Sequence, residues 1–76
     1  MDTPDILIHV HPELPAEKRA EVEDAVMRCP GVIAANFDHH KHPHALTVVY
    51  NKDAIKESQI LETVRKYDPV ATMVGL

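Results

Sequence analysis

The sequence predicts a small α+β fold in which a four-stranded antiparallel sheet carries two helices on one face. Short segments of alternating apolar residues occur four times along the 76-residue chain. Two longer segments have apolar residues at helical spacing, and proline or glycine separates most of the segments from one another. A chain of this length forms one domain, which we expect to span residues 1–76.

The first half of the chain contains two predicted strands with a helix between them. Residues 5–11 alternate, which predicts a strand whose inward face carries Ile6, Ile8 and Val10. Two prolines end this strand, and residues 16–28 follow as an amphipathic helix with the apolar stripe Ala20, Val22, Ala25, Val26 and Cys29. Pro30 and Gly31 terminate the helix, because proline cannot continue its hydrogen bonds and glycine tolerates the turn. The second strand, residues 32–38, is expected to point Ala35 and Phe37 inward.

The second half repeats the pattern in the order strand, helix, strand. The third strand is residues 45–50, which are rich in β-branched side chains, with Leu46, Val48 and Tyr50 on one face. The second helix is residues 54–67, or starts nearer Ser58 if that residue is the N-cap, and its stripe is Ile55, Ile60, Leu61 and Val64. A last strand covers 70–74. The order β-α-β-β-α-β predicts a ferredoxin-like fold with strand order 4-1-3-2.

Composition excludes several classes of function. The net charge of −4 argues against nucleic acid, which requires clustered Lys and Arg. The N-terminus does not resemble a signal peptide, no apolar run is long enough to span a membrane, and the single cysteine excludes an internal disulfide. We therefore expect a cytoplasmic protein. No nucleophile is paired with a base and no glycine-rich phosphate loop is present, so we do not expect an enzyme.

Histidines are the most informative polar residues of the chain. Four of the six lie in the loop between the second and third strands, and the other two lie on the first strand. The predicted topology brings the end of strand one, this loop and the turn at 67–69 to one end of the sheet. We therefore predict a site for Zn(II), Cu(II) or Ni(II), all of which bind imidazole, with Glu13, Asp38 or Asp68 available to complete the shell. The predicted ligands are His11, His39, His40, His42 and His44.

Two other interpretations stay open at this point. Residues 39–44 also suit a solvated polar turn, and His9, in the middle of a strand, suits packing or an interface contact better than a metal. Cys29 is predicted at the opposite end of the sheet as a structural thiol.

The alternative function is a metal-free interaction or regulatory module that captures a protein partner or a second copy. It would use the exposed edge of strand two or the open face of the sheet, formed by Leu7, His9, Thr47 and Val49.

Several segments resemble one known family. Residues 22–26 followed by Cys29-Pro30-Gly31-Val32 resemble the V-E-x-A-L and P-G-V segments of heavy-metal-associated domains, the copper-chaperone-like modules also found in metal-transporting ATPases. Residues 48–51, 60–64 and 71–74 resemble its later strand, helix and strand. The resemblance covers about residues 5–75 and implies the ferredoxin-like fold, with a metal site in the loop after the first strand.

The defining motif of that family, M-x-C-x-x-C, is missing from this chain. By register, its methionine falls at Glu13 and its two cysteines at Pro15 and Lys18, none of which can replace a thiolate. Asp68-Pro69 also departs from the Gly-Tyr usual before the last strand. The family's ligands are therefore not carried over, and what the resemblance implies is the fold and the end of the sheet where metal is held. The histidine loop is predicted at that same end.

Overall fold

The computed structural model describes residues 4–37 and 43–74, and it contains the six predicted elements in the predicted order. The elements are β1 (Asp5–His9), α1 (Ala16–Met27), β2 (Val32–Phe37), β3 (Ala45–Tyr50), α2 (Glu57–Arg65) and β4 (Thr72–Val74). The sheet order is β2-β3-β1-β4, and each pair of neighbours is antiparallel. The predicted ferredoxin-like fold is confirmed.

A single core lies between the sheet and the two helices. The alternation of β1 buries Ile6 and Ile8, while β3 buries Leu46, Val48 and Tyr50 on the same face. Each helix contributes two fully buried residues spaced four apart, Val22 and Val26 from α1 and Ile60 and Val64 from α2. All of these residues belong to one hydrophobic cluster, so both helices pack on the same face of the sheet.

Two members of the predicted stripe of α1, Ala20 and Ala25, are not part of this core, and Ala25 is half-buried. Ala20 is exposed, because two residues at about 100° each place it roughly 200° around the helix from Val22. Phe37 is buried and Ala35 packs against the core, as predicted for β2.

The second half of the chain has shorter elements than predicted. Helix α2 begins at Glu57, later than Ala54 and close to the alternative start near Ser58, although its N-cap is Lys56 and not Ser58. The N–H groups of Ala54 and Ile55 both donate to the carbonyl of Asn51 and form a turn before the helix. Strand β4 begins at Thr72 and not at Val70, because Asp68 holds residues 68–71 in a turn. In the first half of the chain, strand β1 is also shorter than predicted, because it ends at His9, two residues before the predicted end.

The loop after α1 packs tightly at the Asp5 end of the sheet. Gly31 has φ +97°, and a Cβ there would lie 2.8 Å from the Cβ of Ala54, so no other residue fits without strain. Asn51 donates its backbone N–H to the Gly31 carbonyl at 2.7 Å. Cys29 therefore lies near this end, half-buried, with its Sγ 3.5 Å from Thr63 Oγ1. Within the described residues, neither helix is long and apolar enough to cross a membrane.

Candidate functional site

Three segments meet at the other end of the sheet, where β1 ends and β3 begins. The N–H of Val10 donates to the carbonyl of His44 at 2.9 Å. The N–H of His11 donates to Oδ2 of Asp68, in the turn before β4, at 2.6 Å. We call this the histidine end. These hydrogen bonds hold the backbones of His44 and His11, the two predicted ligands that the structure describes, against Val10 and the Asp68 side chain.

Asp68 is a structural anchor at the histidine end. Its side chain is 5% exposed, and it is the one charged side chain that is buried among the described residues. Oδ2 accepts the hydrogen bond from His11, and Oδ1 accepts one from the N–H of Val70 at 3.3 Å. Both carboxylate oxygens therefore serve to satisfy backbone groups. This arrangement does not favour the sequence-based suggestion that Asp68 completes a metal shell.

His11 is exposed, but its ring takes part in the turn after β1. Its Nδ1 accepts a hydrogen bond from the N–H of Glu13 at 3.0 Å, and its carbonyl accepts one from Leu14. An Nδ1 that accepts must carry no proton, so the ring proton is on Nε2. A metal ion on Nδ1 would take the lone pair that accepts this bond, and a metal ion on Nε2 would move the ring proton to Nδ1. Metal binding at either nitrogen would therefore break the bond to Glu13, which we expect to cost about 0.5–1.5 kcal/mol.

The ring of His9 contacts the ring of His44, a pairing that the sequence did not predict. The two ring centroids are 5.1 Å apart with planes at 70°. The sheet register explains the proximity, because His9 pairs with Ala45, the residue directly after His44. The sequence predicts packing or an interface contact for His9. The predicted strand order already puts β1 beside β3, but only the register, in which His9 pairs with Ala45, places the ring of His9 next to that of His44.

The remaining predicted ligands, His39, His40 and His42, and the carboxylate of Asp38 lie outside the described residues. Within residues 4–37 and 43–74, no group of three or more His, Cys, Asp or Glu side chains could hold a metal ion. The five-histidine site therefore stays a prediction.

The loop between β1 and α1, where the resemblance places the family's metal motif, has no thiol. Glu13, Pro15 and Lys18 are all exposed, Pro15 precedes the first residue of α1, and Lys18 pairs with Glu21 at 3.2 Å on the surface. His11 lies in this loop. The histidine end therefore includes the region to which the resemblance assigns the family's metal motif.

The open face of the sheet has a shallow apolar depression. Its volume is about 320 Å³, and it is lined by Asp5, Ile6, Leu7, Thr47 and Val74. On the edge strand β2, Ile33 is 51% exposed at a β-bulge. At the last residue of that strand, the backbone N–H of Phe37 already donates to Oε2 of Glu23 on α1 at 2.7 Å, so it is not available to a further strand.

Solved structures with this architecture include metal-binding domains. The copper-binding domain of HMA7, a P-type ATPase, is similar with a TM-score of 0.78, 23% identity and 93% of each chain covered. The mercury-bound form of MerP, the periplasmic protein of the bacterial mercury detoxification system, has a TM-score of 0.76 at 11% identity, over 97% of this chain and 100% of that chain. The N-terminal soluble domains of CopA from Bacillus subtilis give 0.73 at 25% identity, over 86% of this chain and 43% of that one.

These similarities define the class of fold. The chain has the fold of the heavy-metal-associated domains, as the sequence resemblance implied, and its single cysteine is consistent with the loss of the paired-cysteine motif. No family model matches the chain, and no curated protein matches it by sequence.

Proposed function

We propose that this chain is a small metal-binding domain that carries, buffers or senses a divalent transition metal through histidines in place of the cysteine pair. The ligands are drawn from His11, His39, His40, His42 and His44. The observation that carries the proposal is the hydrogen bond between Val10 and His44. It ties the last residue of the histidine loop to the end of β1, beside the loop where the resemblance places the family's metal.

The chemistry of the donors selects the ion. Imidazole nitrogens suit Zn(II), Cu(II) and Ni(II), whereas Cu(I) prefers thiolate and thioether sulfur. The HMA7 domain is copper-binding and the MerP structure is mercury-bound, whereas this chain has no thiol in the corresponding loop. A borderline divalent ion is therefore the proposed cargo. The proposed role is carriage, buffering or sensing, not catalysis.

Calorimetric titration tests this proposal. The full chain is titrated with Zn(II), Cu(II) and Ni(II), and the titrations are repeated on the variant with His39→Ala, His40→Ala, His42→Ala and His44→Ala. We expect affinity to fall by at least tenfold in the variant. Circular dichroism before each titration checks that the variant is folded, and Asp53→Ala, at the opposite end of the sheet, is the control that should keep the parent affinity. Unchanged affinity in the histidine variant would contradict the site.

A second function is favoured by the open face and the edge of the sheet. The apolar depression beside Leu7 and Val74 and the exposed Ile33 on β2 suit a metal-free module that captures a protein partner or a second copy. This function predicts self-association that persists in chelator. Static light scattering with and without EDTA distinguishes the two, since a metal-independent dimer supports the interaction module and a monomer that binds metal supports the first proposal.

A further inference from the structure

The spacing of the His9 and His44 rings is one that two imidazoles on a single metal ion can have. Imidazole nitrogen binds zinc at about 2.0–2.1 Å, and the nitrogen lies about 1.1 Å from the ring centre, which puts the metal about 3.2 Å from each centroid. At a tetrahedral angle, two such rings have centroids about 5.2 Å apart. The observed separation is 5.1 Å. The pair therefore has a spacing at which one ion could bridge it.

The backbones of both residues are already held in place. His9 pairs with Ala45 of β3 on one side and with Thr72 of β4 on the other, so it lies within the sheet and not at its edge. The carbonyl of His44 accepts a hydrogen bond from Val10. A ligand on a strand, such as His9, needs little ordering when an ion binds, and His44 directly precedes the first residue of β3.

His11 compares poorly with His9 as the ligand from the first strand. The Nδ1 of His11 already accepts a hydrogen bond from Glu13, and metal binding at either ring nitrogen would break it. His11 also lies beyond the last residue of β1 and is exposed, whereas His9 is half-buried within that strand. The two residues are close in sequence, yet His9 is a half-buried strand residue in contact with His44 and His11 is an exposed residue of the following turn.

We propose that His9 and His44 form a two-imidazole site for a borderline divalent cation such as Zn(II) or Ni(II), with His9 and not His11 as the ligand that the first strand supplies. The inference rests on the proposed metal-binding function and deepens it by naming this ligand pair. The alternative is an edge-to-face ring contact with no role in metal binding.

Two single variants of the full chain form a matched test. His9→Ala and His11→Ala each remove one imidazole from the same segment, and Zn(II) and Ni(II) affinities are measured for both by competition against a chromophoric chelator. We expect His9→Ala to weaken binding at least tenfold and His11→Ala to change it less than threefold. His9→Gln, which keeps a polar side chain, replaces His9→Ala if circular dichroism shows that the alanine variant is not folded.

Nuclear magnetic resonance on the unmodified chain gives a second readout that needs no variant. One equivalent of Zn(II) should shift the ring resonances of His9 and His44 and leave those of His11 in place. Tight binding that survives both His9→Ala and His9→Gln, or a shift confined to His11, overturns this inference and leaves the proposed function standing. Absence of binding in the unmodified chain overturns both.

Discussion

The carboxylate of Asp68 joins two parts of the chain that are 57 residues apart, because its Oδ2 accepts a 2.6 Å hydrogen bond from the backbone N–H of His11. Its Oδ1 accepts a second bond from Val70 within its own turn. The end of β1 and the approach to β4 are thus fastened to each other by one buried side chain. The position of His11 depends on this contact.

Replacing Asp68 should destabilise the domain. Asp68→Ala leaves two backbone N–H groups without their acceptor in a poorly solvated place, and we expect the free energy of unfolding to fall by about 2–3 kcal/mol. Asp68→Asn keeps one carbonyl oxygen and should cost about 1 kcal/mol. Urea unfolding measures both. Asp53→Ala, an exposed aspartate at the opposite end, is the control and should stay within about 0.5 kcal/mol of the parent. Equal losses at the two positions would show that Asp68 has no special role.

Glu23 fastens the end of the edge strand β2 to helix α1. Its Oε2 accepts the 2.7 Å hydrogen bond from Phe37, whose ring is buried in the core. We expect Glu23→Ala to lower the free energy of unfolding by about 1–2 kcal/mol and to speed hydrogen exchange at the Phe37 amide. Glu21→Ala is the control, since it removes an exposed ion pair with Lys18 that contributes little. Unchanged exchange at Phe37 in Glu23→Ala would mean that the bond is not formed in solution.

Tyr50 and Glu57 should make stability depend on pH. The hydrogen bond that the Tyr50 hydroxyl donates to Glu57, together with a backbone hydrogen bond, lowers the pKa of that carboxyl below its ordinary value. A lowered folded-state pKa adds stability that is complete above the ordinary glutamate pKa and is lost as pH falls through the lowered one.

The Tyr50→Phe variant tests this linkage. We expect it to be less stable than the parent at neutral pH, and the difference to shrink as pH falls below the ordinary glutamate pKa, because protonated Glu57 gains less from the hydroxyl. Urea unfolding across a pH series measures the difference. Tyr67→Phe, at a tyrosine that is 40% exposed, is the control and should show no such trend. A constant difference at every pH would contradict the linkage.

Cys29 should not contribute to metal binding. Its Sγ contacts Thr63 and the Ala25 carbonyl, and its loop packs against the turn after β3, away from His11 and His44. We expect Cys29→Ser to keep the Zn(II) and Ni(II) affinity of the parent within twofold, as measured by competition with a chelator. A large loss would point to a thiolate ligand and would count against a histidine site.

Much of the fold could be predicted from the sequence because its signals are local. Alternation along β1 and β3 identified the buried faces, and Pro30-Gly31 marked the end of α1. The element bounds were less accurate around α2 and β4. There, Asn51 and Asp68 hold turns through hydrogen bonds that apolar periodicity does not reveal.

The sequence by itself determined the order of strands and helices, most of the core, the presence of a single cysteine and the close spacing of four histidines along the chain. Each of these follows from residue types and their spacing along the chain. Only the tertiary structure decided that His9 lies beside His44 and that Asp68 is a backbone anchor. Register between strands and the partner of a buried carboxylate depend on residues far apart in sequence, so no local pattern could reveal them.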